Sequence, residues 1–128
     1  MKKLIIDAAK ENIFLMIINN SDIYSISHEN SKTNYEKLMI LMIDFLNSKN
    51  LKIKDISSFY LNIGPGSFAG IRNSISIIKA IRLVMKIDYY CYSFRYFKDI
   101  KEIKYENIPN LCDKFDIKKN LINPIYIS

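Results

Sequence analysis

The feature that most constrains this chain is a strand that runs without pause into a glycine loop and on into a helix. Phe59, Leu61 and Ile63 alternate with Tyr60 and Asn62, the period of a pleated strand. Gly64-Pro65-Gly66-Ser67-Phe68-Ala69-Gly70 follows at once. From Ile71 to Lys86 the residues Ile71, Ile75, Ile77, Ile78, Ile81, Val84 and Met85 then make a wide apolar arc, with Arg72, Ser76, Lys79 and Lys86 opposite. A strand, tight turn and helix in this order commit the chain to an α/β fold. The next apolar stretch, Ile87 to Ser93, is expected to return parallel to the first strand through a right-handed crossover.

Upstream, Leu4-Ile5-Ile6-Asp7 and the apolar run Ile13 to Ile18 are too short for core helices and predict buried strands. The turn formers Asn19 to Asp22 join the second of these to Ile23-Tyr24-Ser25-Ile26-Ser27, making a hairpin. Thr33 or Asn34 is placed to cap a helix carrying Tyr35, Leu38, Met39, Leu41, Met42, Ile43, Phe45 and Leu46, with a stop near Asn50. The predicted order is βββαβαβ, a mixed sheet with helices. The apolar arc of the first helix spans about 200°, about twice the stripe of a one-sided surface helix, so that helix is expected to bury two faces. From Arg95 onward the chain is charged and weakly periodic: Phe94, Phe97, Ile100 and Ile103 suit one short helix, 107–123 shows no firm period, and Pro124 to Ile127 reads as a possible strand.

With 128 residues, 49% apolar and 25% charged, the chain fits one folded domain. Its longest apolar runs fall far short of the roughly 20 residues needed to cross a bilayer. Asp7 cuts the first apolar run before it could serve as an export signal, so a cytoplasmic protein with no membrane partner is expected. Cys91 and Cys112 have no Cys-x-x-Cys spacing and read as reduced, partly buried thiols; the single histidine, His28, excludes a His-rich metal site. No metal or cofactor is expected. The net charge of +6 and pI of about 9.2 come from scattered lysines, best read as a solvated basic surface. The alternative is a small basic RNA-binding module stacking bases on Tyr89, Tyr90 and Tyr92.

The loop admits two readings. Gly64 and Gly66 permit a sharp turn, the Ser67 hydroxyl can cap the helix, and the amides of Phe68 to Gly70 could face an anion. The loop lacks the Lys-Ser/Thr of a P-loop, however, and a tight structural turn without a ligand explains it equally well. Asp7 likewise is either a carboxylate on the magnesium side of a nucleotide or a cap at the end of the first strand.

The stretch Asn62-Ile63-Gly64-Pro65-Gly66-Ser67-Phe68-Ala69-Gly70-Ile71-Arg72 closely resembles the Gly-Pro-Gly-Ser-Phe-Thr-Gly-(Ile/Val/Leu)-Arg segment of the TsaB (YeaZ) family. Leu4-Ile5-Ile6-Asp7-Ala8-Ala9 is similar to the family's opening Ile-Asp-Thr-Ala/Ser strand, and Glu36-Lys37-Leu38 to its Ser-Glu-x-Leu; together the likeness spans about 1–97. Departures are Ala8 and Ala69 in place of threonines, Asn34 or a neighbour in place of a histidine, and no Asp-Ala-Arg strand or Glu-Val-Tyr of a second lobe. Pro124-Ile125-Tyr126-Ile127 resembles the family's terminal Pro-x-Tyr-Leu-Arg.

The resemblance implies an N-terminal lobe of the actin-like, sugar-kinase and Hsp70 type (ASKHA, RNase H-like) over 1–97, with 98–128 as the remnant of a lost second lobe. It implies a non-catalytic subunit of the machinery that places threonylcarbamoyl on the adenosine next to the anticodon of ANN-decoding tRNAs. Its partners would be a TsaD-like ATPase, joined through a helix bundle, and a TsaE-like ATPase, with a second copy of the chain as the alternative and tRNA reached only indirectly. Asp7, Gly64, Pro65, Gly66, Ser67, Phe68, Gly70 and Arg72 would then be the remnant of an anion or nucleotide loop. The surplus apolar residues Leu38, Met42, Phe45, Ile75, Ile78 and Met85 would form the partner surface, so aspartate at Met42 and Ile78 should abolish docking and leave the fold intact. An active ATP-using enzyme of the same fold is the competing reading.

Overall fold

Three strands open the chain: β1 (Lys2–Asp7), β2 (Asn12–Asn19) and β3 (Asp22–Glu29). Asn19 faces Asp22 across a two-residue turn in which Asn20 takes φ of 58°, a left-handed conformation that asparagine tolerates. The chain continues through α1 (Lys32–Glu36), α2 (Leu38–Ser48), β4 (Ser58–Asn62), the two-residue β5 (Gly66–Ser67), α3 (Phe68–Met85), β6 (Asp88–Tyr92), α4 (Ile108–Lys114) and the two-residue β7 (Tyr126–Ile127). The computed structural model describes residues 1–98, 100–122 and the backbone of 126–127.

The main sheet has the order β3-β2-β1-β4-β6, with β1 antiparallel to β2 and parallel to β4, and β4 parallel to β6. The predicted βββαβαβ order holds for the main sheet and its helices, with the first helix divided in two and β5, α4 and β7 added. β1 is interior, which its apolar Leu4-Ile5-Ile6 core requires, since those three are buried completely or nearly so. Alternation sorts the side chains between two faces. Leu4, Ile6, Leu15, Ile17, Phe59, Leu61, Tyr89 and Cys91 meet α2 and α3 on one; Ile5, Met16, Tyr60 and Tyr92 meet Phe97, Ile108, Leu111 and Cys112 on the other.

Four details differ from the sequence reading. Ser31 caps α1, its Oγ accepting from the Asn34 amide at 3.2 Å, and the chain bends at Lys37 before α2, so one expected helix is two. α2 buries a single stripe, Leu38, Met42, Phe45 and Leu46, at the i, i+4, i+7, i+8 spacing of a one-sided helix; Ile40 and Ile43 on its outer side are 57% and 36% exposed. The expectation of two buried faces is therefore corrected. In the last quarter, Phe94–Tyr96 forms only a 3-10 turn, and the helix lies later at α4, opened by Pro109 in its first turn, where a missing amide costs nothing. Of the expected terminal strand, Tyr126 and Ile127 pair in parallel with Gly66 and Ser67; Pro124 and Ile125 lie outside the described residues.

Cys91 and Cys112 are both free and buried, and burial pushes each thiol up to about 12. They are neutral apolar filling at any physiological pH.

Candidate functional site

The glycine loop closes against the end of β1 through backbone contacts. The Ser67 amide donates to the Ala9 carbonyl at 2.9 Å. A side chain at Gly66 would put its Cβ 2.8 Å from Ala9 Cβ, and one at Gly70 would put it 2.9 Å from the Ala8 carbonyl carbon and 3.1 Å from Tyr35 Cε1. Both glycines are needed for close approach, which is why the loop has no side chain at either position. Gly64 serves the turn itself, with φ of 113°, and its amide donates to Asn62 Oδ1 at 2.9 Å. Ser67 caps α3 as expected, Oγ accepting from Gly70 N at 3.2 Å, and the same Oγ lies 2.8 Å from the Tyr35 hydroxyl.

Asp7 belongs to this seam. It is fully buried; Oδ1 accepts from the Ala9 amide at 3.1 Å and Oδ2 from the Tyr105 hydroxyl at 2.6 Å. Both oxygens thus hold protein donors. Burial and the neighbouring Asp7 carboxylate raise the Tyr105 phenol well above its ordinary value, so it stays a donor. Its ring stacks on Phe14, centroids 4.1 Å apart, and Lys10 Nζ sits 3.9 Å from the Phe94 centroid beside it.

Asp7, Gly66, Ser67 and Gly70 therefore meet around Ala8 and Ala9, with Gly64 and Pro65 in the turn just before them, whereas Phe68 and Arg72 are exposed. The Gly70 amide is already taken by Ser67 Oγ and the Ser67 amide by the Ala9 carbonyl, so two of the loop's donors are used within the protein. These contacts are those of a tight strand-to-helix turn.

The apolar residues singled out on the helices separate. Leu38, Met42, Phe45 and Ile78 are between 1% and 5% exposed and form the core against the sheet, Ile75 is half-buried, and Met85 is 39% exposed. The four buried ones are corrected from surface to core: the sheet covers more of each helix than a count of apolar arc suggests, because β1, β2 and β4 all present large aliphatic side chains to it. The apolar surface of the helical layer is instead Ile40, Ile43, Leu83, Val84 and Met85. Ile43 and Met85 line one groove of about 390 Å³ with Leu46 and Ile53, bordered by Lys52 and Lys54. The stacking triad dissolves in the same way, since Tyr89 and Tyr92 are core residues and Tyr90 stacks on Tyr60 with centroids 5.1 Å apart.

Sequence reasoning missed Tyr105, Tyr35, Ala8 and Ala9 as members of this seam. Tyr105 lies 98 residues from Asp7, and no local pattern links them. Ala8 and Ala9 carried a signal, since two small residues directly after a buried strand permit close backbone approach.

No family model matches the chain. It is 30% identical over 84 residues to the tRNA threonylcarbamoyladenosine biosynthesis protein TsaB of Buchnera aphidicola subsp. Schizaphis graminum, a stretch covering 66% of this chain and 40% of that one. Among solved structures, YeaZ from Pseudomonas aeruginosa superimposes with a TM-score of 0.66 at 16% identity, over 72% of this chain and 43% of YeaZ. A second Pseudomonas aeruginosa chain, described as similar to the peptidase YeaZ, matches equally. The chain thus spans about two fifths of the length of these relatives. The sheet order and the YeaZ superposition together give the ASKHA, RNase H-like fold.

Proposed function

We infer that this chain, which belongs to the TsaB (YeaZ) family, works in tRNA threonylcarbamoyladenosine biosynthesis as a non-catalytic subunit that binds and supports a TsaD-like ATPase. The observation that carries the reading is the exposed apolar surface of the helical layer, Ile40, Ile43, Leu83, Val84 and Met85, on a chain whose family works in tRNA modification. Apolar side chains at 36% to 77% exposure on two neighbouring helices favour burial against another protein. A TsaD-like subunit would dock there through a helix bundle, a TsaE-like ATPase would complete the assembly, and tRNA would be engaged by the partner's active site. Ile108, Leu111 and Cys112, packed with Phe97, would cover the sheet face opposite the docking helices.

The glycine loop supports the non-catalytic reading from the other side. In an ATP-using relative, Asp7 and the Gly64 to Gly70 loop would serve metal and phosphate; here Asp7 is held by Tyr105 and Ala9, and the loop by Ala8 and Ala9. The test is a reconstituted tRNA modification reaction containing the organism's own TsaD, TsaE and TsaC, with and without this chain. Product formation that depends on the chain supports the reading, and equal product in its absence overturns it.

A further inference from the structure

One cavity lies away from the apolar helix surface and reaches Ile63, the residue before the glycine loop. It encloses about 700 Å³ beside the C-terminal ends of the parallel strands β4 and β6, where open α/β sheets hold their ligands. Its wall is built by the chain leaving α4. Ile117 N donates to Cys112 O at 2.9 Å, Asp116 turns with φ of 53°, and Asn120 clamps the β6 edge, donating to Tyr89 O at 2.7 Å and accepting from Tyr89 N at 3.0 Å. The opposite wall is the 3-10 turn Phe94–Tyr96, fixed by Ser93 Oγ accepting from Arg95 N at 3.2 Å.

Three cations line this cavity, Arg95, Lys98 and Lys118, against one carboxylate, Asp116. All three are exposed, and none takes part in the ion pairs found among the described residues, which both fall on Asp88. Tyr96 and Phe115 supply half-buried aromatic faces, and Phe115 is held edge-on to Phe97 at 5.5 Å. The floor is the buried Cys91 thiol, neutral because burial holds it up at about 12, so it repels no anion. A volume of this size accommodates a small organic ligand, and the combination of a positive rim with aromatic walls selects one that is both phosphorylated and planar.

We propose that this cavity binds a phosphorylated ribonucleoside, its phosphate held by Arg95, Lys98 and Lys118 and its base packed on Tyr96 and Phe115. The same chemistry is offered by a free mononucleotide and by an unpaired residue of an RNA. The proposal does not depend on partner docking, which uses the other helical layer.

Calorimetric titration of the intact chain with AMP, with a single-stranded five-nucleotide RNA and with inorganic phosphate tests it. The variant carrying Arg95→Gln, Lys98→Gln and Lys118→Gln is compared with one carrying Lys32→Gln, Lys79→Gln and Lys86→Gln, exposed lysines elsewhere that remove the same charge. The account expects AMP, or the RNA, to bind the parent chain at least about tenfold more tightly than the cavity variant, with the control variant within about twofold of the parent. Binding of AMP identifies a free nucleotide as the ligand; binding of the RNA alone identifies an RNA residue. No binding of either, equal loss in the control variant, or inorganic phosphate binding as tightly as AMP overturns the proposal.

Discussion

The Tyr105 hydroxyl donates to Oδ2 of Asp7 at 2.6 Å, tying the segment before α4 to the end of the central strand. This bond fixes the role of Asp7, whose other oxygen accepts from Ala9 N. Tyr105→Phe keeps the ring and its stacking on Phe14 while leaving a buried carboxylate oxygen without its donor. A loss of about 1–3 kcal/mol in chemical unfolding is expected. Unchanged stability would mean that Asp7 is not held by this contact.

Gly66→Val and Gly70→Ala place carbon where the Ala9 and Ala8 backbone already lies. Both variants should lose about 1–3 kcal/mol or more through forced separation of β1 from α3, with Val the worse. Partner binding should fall only in proportion to the unfolded fraction. A fully stable Gly66→Val that fails to support tRNA modification would show the loop to be a working ligand site.

Asp88 gives a pH signature. The hydrogen bond from the Asn120 side chain is the largest effect and outweighs the opposing one of burial; with smaller help from Lys119 and Arg82 it holds the carboxyl below the ordinary carboxylate range. A depressed folded pKa contributes stability that is present above the unfolded value of about 4 and is lost as pH falls through the folded value. The melting temperature of the parent chain should therefore drop more steeply below pH 4 than that of Asp88→Asn. Parallel curves would remove Asp88 and its Asn120 clamp from the account.

Met42 and Ile78 are 1% exposed, so aspartate at either buries an unpaired charge in the core. Circular dichroism should show Met42→Asp largely unfolded, whereas Ile43→Asp, one residue on and exposed, should melt within about 0.5 kcal/mol of the parent. A folded Met42→Asp would place that residue back on the surface.

These outcomes mark what the sequence could and could not convey. The order of the main elements, the Ser67 cap and the tightness of the glycine loop rest on neighbours in the chain, and each was legible from residue type and spacing. The division of Leu38, Met42 and Phe45 from Ile40 and Ile43 was not, because it depends on how far β1, β2 and β4 reach across α2. Helix α4 offered only Ile108, Leu111 and Cys112 at i, i+3, i+4 over seven residues, too short for a period, although Pro109 marked its start. The basic cavity was hidden for the same reason: Arg95 and Lys98 meet Lys118 only after α4 has turned the chain back along β6.

The most direct test of the central claim is co-elution of this chain with the TsaD of its own organism. The account predicts a stable complex with the parent chain, and its loss when Ile43→Asp and Met85→Asp are combined in a variant whose melting temperature is unchanged. A parent chain that elutes apart from TsaD, or a double variant that still co-elutes with it, would contradict the assignment of the helical layer as the docking surface.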